Sequence, residues 1–91
     1  MKRKEILETA ASYVTVDRET QYGTPEDNFK TIANLWNAYI GVEVVDSHDV
    51  PIMMCLLKIA RIASGQIKDD NYIDLAGYAA CAGEITDTYN N

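Results

Sequence analysis

Four stretches of the chain repeat apolar residues every three or four positions, the period of a helix with one buried side. The first spans about Lys4 to Val16, with Leu7, Ala10, Ala11 and Val14 as its stripe. The second begins at Thr24-Pro25-Glu26-Asp27, which supplies an N-cap, a first-turn proline and two acids suited to a helix N-terminus. Its stripe is Phe29, Ile32, Ala33, Trp36 and Ile40, and Gly41 ends it. The third is capped by Asp46 or Ser47, tolerates Pro51 in its first turn and reaches about Ser64, before Gly65. The fourth is capped by Asp69 or Asp70 and reaches about Thr88. Its Ala76, Ala79, Ala80 and Gly83 form a small-residue stripe, suited to tight packing on the third helix or to a seam between copies. Val42 to Val45 is β-prone but too short for a sheet, and no partner strand appears. The pattern predicts an all-α fold: one four-helix, bundle-like domain over residues 1–91. A chain this short gains from association, so a homo-oligomer is expected.

The third stretch is the most apolar, and two cations interrupt it. Between Val50 and Ala63 every residue is apolar except Lys58 and Arg61, which lie one helical turn apart. An unpaired buried charge costs several kcal/mol, roughly, so each needs an anion or a path to water. The partner is either a carboxylate of the chain, Asp70 or Asp74, or a phosphate-bearing ligand. Arg offers a planar fork for phosphate, and Lys a mobile point charge. Both roles can coexist.

Composition narrows the function. The net charge is −6, and the eight basic residues do not cluster beyond Lys2, Arg3 and Lys4. Nucleic acid is therefore not expected as a direct partner, because its affinity comes largely from clustered cations. An acidic surface can instead occupy a basic groove on another protein. Cys55 and Cys81 fall in apolar helical pattern and read as buried thiols. With one histidine and no CxxC pair, neither a zinc site nor a Cys/His or Ser/His/Asp catalytic set is expected. No signal peptide or apolar run of membrane-spanning length is seen, so the reading is a protein of a bacterial cytoplasm, away from the membrane.

Two further clusters can carry binding chemistry. Asn71, Asp74 and Tyr78 recur at helical spacing on the fourth helix and, with Asp70, make a polar stripe. It suits a ribose, a base edge, a divalent ion or solvent. The loop before the second helix gathers Arg18, Tyr22, Gly23 and Asn28 ahead of a helix N-terminus, where anions are favoured, or it is turn and cap chemistry. Trp36 and Tyr39 can stack on a base but read first as core and rim.

Several of these segments together resemble a family of small phage and prophage proteins of unknown function. They are Arg18-x-x-x-Tyr22-Gly23, Asn28-Phe29, Leu35-Trp36-x-x-Tyr39, Asp49-Val50, Leu57-Lys58-Ile59-Ala60-Arg61 and Asp74-Leu75-Ala76-Gly77-Tyr78-Ala79-Ala80. The last of them also resembles, more distantly, a core helix of the all-α MazG-like and dimeric dUTPase pyrophosphohydrolases. In that group an E-E-x-x-E helix and an E-x-x-D helix hold Mg²⁺ on a nucleoside triphosphate. Here the first reads Leu57-Lys58-Ile59-Ala60-Arg61 and the second Asn71-Tyr72-Ile73-Asp74. The resemblance implies a nucleotide site in which Lys58 and Arg61 replace the metal and bind phosphate without activating water.

The expectation is a nucleotide-binding protein that does not hydrolyse its ligand, able to sequester a nucleotide signal of host defence. Its ligand set would be Arg18, Tyr22, Asn28, Lys58, Arg61, Asn71, Asp74 and Tyr78, with no cofactor. Two other readings stand beside it. One is a Mg²⁺-dependent pyrophosphohydrolase with a reduced metal site at Asp70 and Asp74, aided by Glu26 and Asp27. The other is an inhibitor that blocks a host defence protein, in the manner of an anti-CRISPR factor.

Overall fold

The computed structural model describes residues 1–17 and 24–90. Among them the chain forms four α-helices and no strand: α1 (Arg3–Ser12), α2 (Pro25–Ile40), α3 (Asp49–Ala63) and α4 (Asp69–Asn90). A π-helical turn, Tyr13–Asp17, prolongs α1. None of these helices is long and apolar enough to cross a membrane.

The helix ends follow local chemistry. The Thr24 side chain accepts the Asp27 backbone N–H at 3.3 Å, and Pro25 opens α2. Gly41 and Gly65 close α2 and α3 with φ of 91° and 95°, a region that glycine enters freely. Of the two caps expected for α3, Asp46 serves. Its Oδ1 accepts the backbone N–H groups of His48 and Asp49, and Asp49 Oδ2 accepts that of Asp46 at 2.9 Å. The β-prone Val42–Val45 run is held as a loop by a side chain. Asn37 Oδ1 accepts the Val44 and Val45 N–H groups at 3.0 Å, and Asn37 Nδ2 donates to the Val45 carbonyl at 2.8 Å.

Helices α3 and α4 form an antiparallel hairpin, the most extensive contact between helices. The Cys55 thiol donates to the Leu75 carbonyl at 3.6 Å, and Lys58 reaches Asp74. The first helix runs along α4 in the same direction: the Met1 amine lies 3.3 Å from Asp69, and Val14 lies against Gly77. The second helix closes the other side, where Phe29 and Ala33 meet Val50, Cys81 and Ile85 in the core.

Three expected stripes shift. On α1 only Ala10 is buried and Val14 half-buried, while Leu7 and Ala11 are exposed, because α1 touches little besides α4. On α2, Ile40 is exposed at the last residue of the helix, past the core. The α4 stripe does not pack on α3, since Ala79, Ala80 and Gly83 are exposed. The close backbone approach falls at Gly77, where a Cβ would meet Val14 Cγ1 at 3.0 Å.

That approach sets a size limit. Gly77→Leu is expected to destabilise the fold by about 1–3 kcal/mol through overpacking against Val14. Gly77→Ala should stay near neutral, because its gain in helix propensity, roughly 1 kcal/mol, offsets a small adjustment of Val14. Urea unfolding checks both, and an unchanged midpoint for Gly77→Leu would refute the close packing.

Candidate functional site

The site forms where α1 and its π turn, α2 and α4 converge. A cavity of about 130 Å³ opens there, lined among the described residues by Ala10, Tyr13, Val14, Phe29, Ile73, Asp74, Gly77, Tyr78 and Cys81. Its walls are apolar and aromatic, and Asp74 is their one carboxylate among the described residues. Gly77 contributes by lacking a side chain. Tyr78 is oriented by the Phe29 ring, with centroids 6.3 Å apart and planes tilted by 48°. Tyr13 remains 48% exposed, at the edge.

Asp74 is anchored from behind. Lys58 Nζ lies 2.9 Å from Asp74 Oδ2, with the Lys58 side chain 10% exposed and that of Asp74 35% exposed. The lysine is buried against α4, and its aliphatic stem packs in the hairpin as long charged side chains do. This pairing neutralises Asp74, fixes its carboxylate and leaves lone pairs for a donor from the cavity side.

Arg61 goes elsewhere. It is exposed, and no carboxylate of the described residues lies within ion-pair distance of it. The reason is axial. The buried positions of α3 are Val50, Pro51, Cys55 and Lys58, and Arg61 lies in the last turn of the helix, one turn beyond the last of them. Of the two cations expected to face Asp74 and Tyr78, Lys58 meets Asp74 and Arg61 does not. Asn71 also lies outside the cavity lining. It is buried, and its Nδ2 donates to the Gln66 carbonyl at 2.7 Å, fastening the turn between α3 and α4. Asn28 is half-buried and does not line the cavity. Asp70 is exposed, and Glu26 and Asp27 do not line the cavity either. Arg18 and Tyr22 lie outside the described residues. The aromatic lining from Tyr13 and Phe29 was not read as a site from the sequence, because both fall within ordinary helix pattern. Trp36 packs on the core, and Tyr39 is 94% exposed.

Two other groups are set aside on chemistry. Asp46, His48 and Asp49 bring ligand atoms within 4.8 Å of one another. Both carboxylates cap α3, however, and its positive N-terminal end opposes a cation. Burial pushes the Cys55 thiol up from its ordinary pKa, which keeps it protonated and a poor nucleophile.

Residues 5–86 match the family described as "Domain of unknown function (DUF6378)", and the chain belongs to that family. It is 40% identical over 82 residues to the Gene 55 protein of Mycobacterium phage D29, covering 90% of this chain and 54% of that protein. It is 44% identical over 75 residues to the Gene 55 protein of Mycobacterium phage L5, covering 81% of this chain and 47% of that protein. The chain thus spans about half the length of these curated relatives. No solved structure matches it. A phage family of unknown function, as the motifs suggested, is what the comparisons find, and none of these matches is to the MazG-like group.

The ion pair predicts an asymmetry. Asp74→Ala leaves the buried Lys58 ammonium without a counter-charge and should cost about 3 kcal/mol, the low end for a buried pair because Asp74 is partly solvated. Lys58→Met, which fills the same space and leaves Asp74 in contact with water, should cost less than half of that. Chemical denaturation of both variants checks the order, and equal losses would contradict it.

Proposed function

We propose that this phage protein binds a nucleotide by its base, in the cavity beside Asp74, and retains it without hydrolysis. The observation that carries this reading is an anchored carboxylate in the wall of a ring-sized aromatic cavity. An engineered apolar cavity of about 150 Å³ accepts benzene, so 130 Å³ suits one six-membered ring and not a whole nucleotide. Tyr13 and Tyr78 offer stacking faces, and ionised Asp74 accepts N–H donors of a base edge. Sugar and phosphate would extend outward, beyond the cavity. Lys58 acts by holding Asp74, and phosphate contact by the Lys58/Arg61 pair is set aside.

Retention without hydrolysis follows from the same chemistry. A Mg²⁺-dependent phosphohydrolase needs carboxylates that share a metal, and Asp74 is already engaged by Lys58. A phage protein of this kind, acting inside the bacterial host, can withdraw a nucleotide signal from host defence.

Calorimetry with mono-, di- and cyclic nucleotides of each base, with Mg²⁺ and with EDTA, tests the reading. Binding in EDTA, strongest for a single-ring base, is expected. Tyr13→Ala should weaken it about tenfold while leaving stability nearly unchanged, since stacking is worth roughly 1–3 kcal/mol per base. Binding only with Mg²⁺ and release of pyrophosphate would replace this reading with the enzymatic one. If no nucleotide binds, the proposal fails and an inhibitory protein surface becomes the better account.

A further inference from the structure

The polarity of the Asp74 cavity is one-sided. Lys58 occupies Asp74 Oδ2 at 2.9 Å, and no group among the described residues donates to Oδ1. Of the described residues that line the cavity, none is a cation and none carries a side-chain amide. The faces of Tyr13, Phe29 and Tyr78 are negative as well, because the ring quadrupole places its positive charge at the edge. Such a wall receives an N–H group well and a carbonyl poorly. The donors left to a carbonyl are the two tyrosine hydroxyls and the weak S–H of Cys81.

We infer that Asp74 selects a cytidine nucleotide, whose exocyclic amine donates to the free Oδ1, and rejects uracil and thymine. The inference rests on the nucleotide reading above and narrows it to one base. A space of about 130 Å³ limits the choice to single-ring bases. Cytosine and uracil share their ring, their O2 carbonyl and their link to the sugar, and they differ at positions 3 and 4. In cytosine the amine N–H lies beside the C5–H, so that edge is positive along its length and suits a carboxylate oxygen. Uracil carries a carbonyl where cytosine carries the amine, and its N3–H is flanked by carbonyls on both sides. Every approach of its polar edge to Oδ1 sets carbonyl lone pairs against a carboxylate. A carbonyl enclosed without a donor also loses its hydrogen bonds to water. A tyrosine hydroxyl that donates to O2 serves both bases alike, so the discrimination falls to Asp74. Lys58 contributes by holding the carboxylate in one orientation.

Calorimetry of the full chain in EDTA with three ligands tests the inference: cytidine monophosphate, uridine monophosphate, and the monophosphate of pyrimidin-2-one riboside, which has neither amine nor carbonyl at position 4. The cytidine nucleotide is expected to bind about tenfold more tightly than either of the others. That is the low end for a hydrogen bond to a charged group, because the Asp74 side chain is 35% exposed. Lys58→Met combined with Asp74→Asn replaces the pair with neutral groups of similar size. Its amide can accept or donate, so this variant should bind cytidine and uridine monophosphate within about threefold of each other. Helical circular dichroism checks its fold, and the three wild-type titrations decide the matter without it. Equal affinity for the cytidine and uridine nucleotides, or tighter binding of uridine, overturns the inference and leaves nucleotide binding in place. A pyrimidin-2-one nucleotide that binds as tightly as cytidine overturns the contact with the amine. A folded double variant that keeps the cytidine preference overturns Asp74 as its source. If none of the three ligands binds, the nucleotide reading falls and this inference falls with it.

Discussion

The contact on which this structure turns is the ion pair between Lys58 and Asp74. An ammonium that enters a hairpin must find its carboxylate, and only one rotation of α3 about its axis brings it there. That rotation also carries Cys55 to the Leu75 carbonyl and Val50 into the core beneath Phe29. It turns the more hydrophobic residues of the same helix outward. A structural lysine and an apolar outer face are thus two results of one constraint. A helix with an apolar residue in place of Lys58 would lack this constraint on its rotation.

The same pair organises the cavity from its rear. Asp74 sits between a cation on one side and an aromatic space on the other, so its charge is balanced without being used up. The remaining parts of the fold shape that space rather than charge it. Gly77 lets α1 come close, Phe29 tilts Tyr78, and the π turn carries Tyr13 to the edge. Helix α3 supports this space from behind, through Val50 under Phe29 and Lys58 on Asp74, while its outward face stays on the opposite side.

Helix positions were legible in the sequence because they rest on local chemistry: a threonine before a proline, glycines after the last turn, and an aspartate pair that caps itself. Burial was less legible, since it depends on which neighbour is present. Leu7 and Ile40 obey the helical period yet face water, because no second element covers them. The spacing of Lys58 and Arg61 suggested a shared target, but one turn along the axis was enough to carry Arg61 past the last buried position of α3. Asn71 and Asn37 show the same limit from the polar side. Each was ordinary in sequence, and each became a structural clamp on a backbone segment that only the fold brings within reach.

Burial of a single lysine also gives the molecule an internal chemical contrast. Lys2, Lys4, Lys30 and Lys68 are all exposed, and Lys58 alone among the five is buried. A primary amine reacts with an acylating reagent only when it is accessible, and Lys58 is not while it lies buried against Asp74. Its rate of modification therefore reports the opening of the α3–α4 hairpin, residue by residue in a mass spectrum, with four neighbours of the same type as the reference. Separation of these two helices is the event that would both release the carboxylate at the cavity and let α3 turn over, so that one slow-reacting amine monitors both sides of the protein.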